Sequence, residues 1–276
     1  TFAVHPETAH SHFAALKSSS IIAIIPARFQ SFRLPGKALV DICGHPMIEY
    51  VYHQTARAPS VELTIVATDD DRIIRAVKSF NGVALLTRSD HVSGTDRLAE
   101  VVRDLSCSIV VNVQGDQPLV NPRMIEEAIR PVLKDEGIVM STLTRRITDP
   151  KEFENSHVVK VVADQQNKAL YFSRSTIPPA YSPSKIPSLV YKHIGIYVYR
   201  REFLLKLAGL PQTPLEKAES LEQLRALEHG FKIHLAETEH DTISVDDLNS
   251  LQQVRHIVET EGLQDSLNEQ GAHAKK

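Results

Sequence analysis

From residue 21 the chain alternates short aliphatic runs with stretches whose apolar positions recur at helical spacing. IIAIIPA (21–27) is continuously apolar and β-branched, as expected of a strand buried on both faces. PMIEYVYHQTAR (46–57) predicts a helix with proline at its first position. LTIVAT (63–68) predicts a second strand. DDDRIIRAVKSF then predicts a helix with acidic residues in its first turn and Ile73, Val77 and Phe80 at helical spacing. The unit repeats with VALLT (83–87) and with SGTDRLAEVVRDL, which places Leu98, Val101, Val102 and Leu105 on one face. SIVVNV (108–113) closes the series and runs into the loop QGDQP. This alternation predicts an α/β fold with a Rossmann-like, mainly parallel sheet covered by helices, and ligands at the carboxyl ends of its strands.

Beyond residue 137 the pattern changes to IVMSTL, VVKVVAD, ALYFSRS and HIGIYVYR, strands with few helices between them and a proline-rich stretch, TIPPAYSPSKIPS. A smaller sheet-rich lobe is expected at 139–200. Helix returns in PLEKAESLEQLRALEHG, strand in FKIHLAET, and a last helix follows ISVDD. Residues 1–20 lack the basic start and apolar core of a signal peptide and read as a polar leader, 21–262 as one domain, and 263–276 as a polar tail. No internal repeat or low-complexity tract occurs.

Composition narrows the function classes. The 276 residues are 42% hydrophobic and 24% charged, enough for a sizeable core. A formal charge of −3 gives no global attraction to nucleic acid or to an anionic membrane surface, so an anion site must be local. No segment approaches the run of about eighteen apolar residues needed to span a membrane. Cys43 and Cys107 lie far apart without CxxC spacing, which argues against a disulfide framework or a structural zinc site and fits the cytoplasm.

Local anion chemistry is concentrated in PARFQSFRLPGK, where Arg28, Arg33 and Lys37 leave the first strand through a loop constrained by proline and glycine. Arginine forks and a lysine point charge suit phosphate oxygens; a lone cation here would read as a solvated strand end. Gly36-Lys37 is followed by Ala38 and lacks the upstream glycine of a P-loop, and no GxGxxG follows the strand. In QGDQP, Asp116 lies just past a buried strand, where an Asx-type turn is the plain structural alternative. Asp246 in ISVDDL could likewise be a helix cap.

The ordered set IIPAR…RLPGKAL…GHPMI, VATDDDRI, SGTDRLAE, VVNVQGDQPLV, ALYFSRSTIP, HIGIYVYR, PLEKAESLEQLR and SVDDL resembles the CMP-KDO synthetase family, also called 3-deoxy-manno-octulosonate cytidylyltransferase, from about residue 21 to 260. The resemblance implies an enzyme on a nucleotide-diphospho-sugar transferase fold. Its expected reaction couples CTP to 3-deoxy-D-manno-octulosonate (KDO) and releases pyrophosphate, supplying lipopolysaccharide synthesis. It assigns Arg28, Arg33 and Lys37 to the β- and γ-phosphates, where their charge would stabilise the departing pyrophosphate. Ser93, Gly94 and Thr95, with Gln114, would contact the nucleoside, although Ser93 could also cap a helix with Asp96 behind it.

Asp116 and Asp246 match the family's magnesium-binding aspartates, a set that suffices when phosphate and water complete the octahedron. This chain reads VDDLNSL where the family usually has VDTPEDL, so Asp247 stays open as the second ligand. By the same resemblance Arg174 takes the sugar carboxylate. His193, Tyr197, Glu219, Glu222 and Gln223 lie near its hydroxyls, with Glu219 sharing a helix face with Glu222 and Gln223. Taken singly, these are a strand-edge charge, a core histidine, a packing aromatic and a solvated helix face. No general base stands out. A homodimer through the sheet-rich lobe is expected. The alternatives are another acid sugar, such as 8-amino-KDO or a sialic acid, and a non-catalytic CTP-binding regulator whose altered VDDL has lost the metal.

Overall fold

The computed structural model describes residues 13, 15–31, 34–91, 93–179, 189–265 and 267. The chain forms two compact units, one built from the segments up to Arg123 and from Thr242 onward, the other from Met124–Asp241. The second is wider than the lobe expected at 139–200, because the helices and strand after residue 200 and most of the helix before residue 139 belong to it.

In the first unit, β1 (Ile21–Ala27) is flanked by β4 (Leu63–Thr68) and β6 (Ile109–Asn112), and β5 (Val83–Leu86) pairs with β4. The resulting order β6-β1-β4-β5 is parallel throughout. Its central strands are buried almost without break, which is why they read as continuous apolar runs. Crossovers run through α1 (Met47–Ala56), α2 (Asp71–Ser79) and α3 (Gly94–Arg103), with Ser93 and Asp70 as N-caps of the last two. A hairpin of β2 (Asp41–Ile42) and β3 (His45–Pro46), too short to show a period, turns through Cys43 and Gly44, both at positive φ. Ser20, inside the segment set aside as leader, is buried, and its hydroxyl donates to Glu62 at 2.7 Å.

The second unit begins within α4 (Pro122–Lys134) and continues into β7 (Met140–Arg146), α5 (Pro150–Glu154), β8 (Lys160–Ala163), β9 (Ala169–Ser173) and β10 (Tyr191–Arg200). Next come α6 (Arg201–Ala208), α7 (Pro214–Glu219), α8 (Leu224–Glu228) and β11 (His234–Glu237). β10 pairs antiparallel with both β7 and β8, β9 pairs antiparallel with β8, and β11 runs parallel to β7. The final helix, α9 (Leu248–Glu261), returns to the first unit and buries Leu251, Val254 and Val258 against Ile42, Met47 and Tyr50. The fold is a mixed α/β architecture with a mainly parallel central sheet and a smaller antiparallel part, the class that the alternation predicts.

Candidate functional site

In the first unit the loop after β1 is folded back on itself. Gly36 sits at φ +67°, a conformation that glycine adopts without strain, and its N–H donates to the Phe29 carbonyl at 3.1 Å. The Phe29 ring also lies under the Arg72 guanidinium, 3.3 Å from the ring centroid, so the loop's aromatic anchor is clamped. This brings Lys37, at the start of a single 3-10 turn, to the crevice end of the sheet.

A second loop arrives after β6. A Cβ on Gly115 would lie 2.9 Å from the Pro26 carbonyl oxygen, so only glycine lets the chain pass this close to β1. Asp116 follows at once. The third segment is tied to the second by the Val245 N–H, which donates to the Asp116 carbonyl at 2.9 Å, and Asp246 follows. Lys37 Nζ then donates to Asp116 Oδ2 at 2.6 Å and to Asp246 Oδ1 at 3.0 Å. Burial alone would lower the lysine pKa, but the two carboxylates outweigh it, and the net shift is upward.

The two aspartates left open in the sequence have different work. Asp247 is the N-cap of α9, its carboxylate accepting from the Ser250 N–H at 2.8 Å, while Asp246 reaches Lys37. One cation already contacts both Asp116 and Asp246, so this donor pair fits a hard divalent ion whose remaining positions are oxygen. Among the described residues no cluster of three or more His, Cys, Asp or Glu side chains forms a ready-made metal cage.

Arg28 does not join that cluster by a hydrogen bond. Its Nη2 donates to the His91 carbonyl at 2.8 Å, in the loop leading to α3, and the His91 ring hydrogen-bonds to Glu100. Arg33 lies outside the described residues. Ser93 forms a capping box, its hydroxyl accepting from the Asp96 N–H at 3.1 Å and Asp96 accepting from the Ser93 N–H at 3.1 Å, so its side chain serves the helix. Thr95 is buried, a Cβ added at Gly94 would lie 3.8 Å from Pro26 Cγ, and Gln114 has a long hydrogen bond to Asn112 at 3.4 Å.

The second unit gathers the other candidates. The segment 214–230, expected as one helix, is broken: Ser220 adopts φ 53°, and α7 and α8 are separate. The break is held by a buried ion pair in which the Arg225 guanidinium donates to Glu216 at 2.9 and 2.5 Å. The i, i+3 argument that put Glu219 on a face with Glu222 and Gln223 therefore fails. Glu219 instead latches β9, accepting from Ser173 Oγ at 2.6 Å, Arg174 N at 3.0 Å and Tyr171 Oη at 3.3 Å. Burial acts to raise its pKa, but these hydrogen bonds overcome that and hold it below the usual value.

Arg174 donates from Nε to the Glu219 carbonyl at 3.0 Å and from Nη1 to the Ser156 carbonyl at 3.4 Å. Just past the break, Glu222 Oε1 and Gln223 Nε2 are buried with no hydrogen-bond partner among the described residues. A buried acceptor and a buried donor left unpaired on consecutive residues are costly in a folded protein unless a ligand or water completes them. His193 and Tyr197 on β10 pack ring to ring at 5.3 Å. Burial lowers the His193 pKa to about 3, and burial, with Tyr199 and Glu222 nearby, raises that of Tyr197 well above 10.0.

With this geometry in place, comparison with known proteins is decisive. A family model described as Cytidylyltransferase matches residues 22–233. A 3-deoxy-manno-octulosonate cytidylyltransferase of Geobacter sulfurreducens is 50% identical over 246 residues, covering 85% of this chain and 98% of that one. The chain belongs to the 3-deoxy-manno-octulosonate cytidylyltransferase family. A second member, from Pelobacter propionicus, is 51% identical over 247 residues, 86% of this chain and 96% of its own. A solved structure of CMP:2-keto-3-deoxy-manno-octonic acid synthetase complexed with CTP superposes with a TM-score of 0.82 at 42% identity, covering 88% of this chain and all of that one.

Several residues of this family member escaped the sequence reading. Arg97 is fully buried, donating to Asp69 at 2.8 Å and to the Thr87 hydroxyl at 2.5 Å, and so anchors the first turn of α3. Lys160 is also fully buried, its ammonium donating to the carbonyls of Asn155, Val158 and Arg174 at 2.8, 2.6 and 2.6 Å. Burial, with the Arg174 charge, lowers its pKa. A charged residue inside the apolar run VVKVVA was the available signal for Lys160; Arg97 in SGTDR gave none.

Proposed function

We propose that this protein transfers a cytidylyl group from CTP to KDO, giving CMP-KDO and pyrophosphate. The observation that carries this reading is the convergence of Lys37, Asp116 and Asp246 from three separated segments. The membership of the family, at about half identity over nearly the full length of its relatives, supplies the substrate class. In the proposed chemistry the anomeric hydroxyl of KDO attacks the α-phosphorus, the new P–O bond forms in line with the one that breaks, and pyrophosphate leaves. The hydroxyl proton passes to solvent.

The protein's contribution is positioning and charge. Lys37 would turn from its aspartates to the phosphates, neutralising charge that builds on the leaving pyrophosphate. Arg28 and Arg33 would add to that field. Asp116 and Asp246 would hold Mg2+, which, when bound, neutralises phosphate charge and lowers the pKa of a coordinated hydroxyl. Ser93, Gly94, Thr95 and Gln114 are the proposed nucleoside contacts. In the second unit Arg174 would take the sugar carboxylate, and His193, Tyr197, Glu222 and Gln223 its hydroxyls, with Glu219 holding the strand end in place. The regulator reading rests on a displaced Asp246; the 3.0 Å contact with Lys37 supports the catalytic reading instead.

The reading extends to a cytoplasmic homodimer, which sedimentation of the purified chain would test; among the described residues no helix is long and apolar enough to cross a membrane. The functional test is pyrophosphate release from CTP and Mg2+ with KDO, 8-amino-KDO and N-acetylneuraminate as acceptors. Release that depends on KDO supports the proposal. Release with only another acceptor reassigns the sugar, and CTP binding without release under any condition overturns it.

A further inference from the structure

The pairing of β10 with β7 shifts register between Ile194 and Tyr197. At this bulge the side chain of Thr142, fully buried on β7, takes over from the ladder. Its hydroxyl oxygen lies 2.8 Å from the Ile196 carbonyl oxygen and 3.2 Å from that of Ile194. The same oxygen lies 2.9 Å from His193 Nε2. A hydroxyl has one proton, and carbonyl oxygens only accept. The proton therefore goes to the backbone, with Ile196 at the shorter distance, and a lone pair faces the imidazole. Nε2 must then carry a hydrogen. The reverse tautomer would draw the hydroxyl proton to Nε2 and set oxygen lone pairs against both carbonyls.

We propose that Thr142 is a positioning residue that fixes His193 as the Nε2–H tautomer, leaving Nδ1 as a bare acceptor for a hydroxyl of the acid sugar. The identity of that ligand rests on the functional reading above; the tautomer does not. Nδ1 makes no hydrogen bond among the described residues. The ring packs against Phe172, with centroids 5.1 Å apart, and against Tyr197 at 5.3 Å. Burial keeps it neutral far below neutral pH. An acceptor-only nitrogen on a neutral ring attracts a hydroxyl and repels a carboxylate. His193 would thus read the polyol part of the sugar, a task distinct from that of Arg174.

The test is 15N NMR of the histidine rings in the ligand-free protein, with His193 identified among 13 histidines by its loss in His193→Gln. A protonated Nε2 and a pyridine-like Nδ1 are expected, and the opposite pattern overturns the proposal even if no Thr142 variant folds. In Thr142→Val the tautomer preference should relax and KM for KDO should rise about tenfold, while KM for CTP stays unchanged. Thr142→Ser should restore both. A tautomer unchanged in Thr142→Val, or a serine variant that behaves like the valine one, overturns it. The Nε2–H pattern in a protein that turns over no acid sugar supports the tautomer and overturns the ligand assignment.

Discussion

In the first unit one ammonium, Lys37, faces two carboxylates, Asp116 and Asp246, at 2.6 and 3.0 Å, whereas in the second Arg174 and Glu219 are engaged by backbone groups and Glu222 and Gln223 keep polar atoms with no hydrogen-bond partner among the described residues. The three side chains of the first unit together carry one negative charge in excess. Such an excess is what a hard divalent cation would complete, leaving the ammonium able to turn to an arriving phosphate. The second unit buries unpaired polar atoms of Glu222 and Gln223, which a polyhydroxylated ligand or water would complete. On the proposed function a triphosphate and a sugar need different preparation, and the two sets of side chains differ in the way that reading requires.

The sharpest way to break this comparison is at the aspartates. On the proposed function Asp116→Ala and Asp246→Ala should each lower kcat/KM by about a hundredfold or more, since each removes a carboxylate that would hold the Mg2+ neutralising the reacting phosphates. Asp247→Ala should leave turnover intact and cost about 1 kcal/mol in denaturant unfolding, because that carboxylate caps α9. Equal losses of activity in Asp246→Ala and Asp247→Ala would show that the division of labour is wrong.

Glu219→Gln addresses the engaged half of the second unit. It should lose about 2 kcal/mol of stability at neutral pH, as a carboxylate that accepts several hydrogen bonds is replaced by an amide that accepts fewer. Because the folded-state pKa lies below 4.5, the wild-type advantage should be present above about that pH and fade as pH falls through the folded value. Urea titrations at stepped pH would check that the two curves converge in acid.

Lys37→Met should raise KM for CTP about tenfold and leave two carboxylates without their shared cation. Added Mg2+ should then raise the melting temperature of the variant more than that of the wild type. A thermal shift identical in both, or absent from both, would argue that the pair does not hold metal.

The smallest effect is expected at His193. With its pKa lowered from 6.5 to about 3, the unfolded chain binds a proton that the folded one refuses, so stability falls on acidification through that window. His193→Gln should lose about 1 kcal/mol less than wild type between about pH 6 and pH 5. His53 and His234 are also lowered, so the difference between the two proteins, not the wild-type slope, isolates this residue.

The parallel strands were legible because each is buried on both faces and leaves an unbroken apolar run, as in IIAIIPA and LTIVAT, whose predicted limits coincide with β1 and β4. The alternation with amphipathic helices then fixed the fold class, and the ordered motifs fixed the family. What stayed hidden depended on geometry between distant residues. The break at Ser220 interrupts a stretch of helix-favouring residues and is decided by the buried Arg225–Glu216 pair. Asp246 and Asp247 are neighbours of one chemical type, and only the start of α9 and the approach of Lys37 separate their tasks. The proposed tautomer of His193 follows from a bulge in its own strand, β10, opposite Thr142 of β7, and a β-bulge leaves no period in the sequence. Local pattern and composition determine which elements form because they depend on near neighbours and burial; which side chain meets which cation, carbonyl or ring depends on contacts between residues far apart in the chain, and those exist only once it has folded.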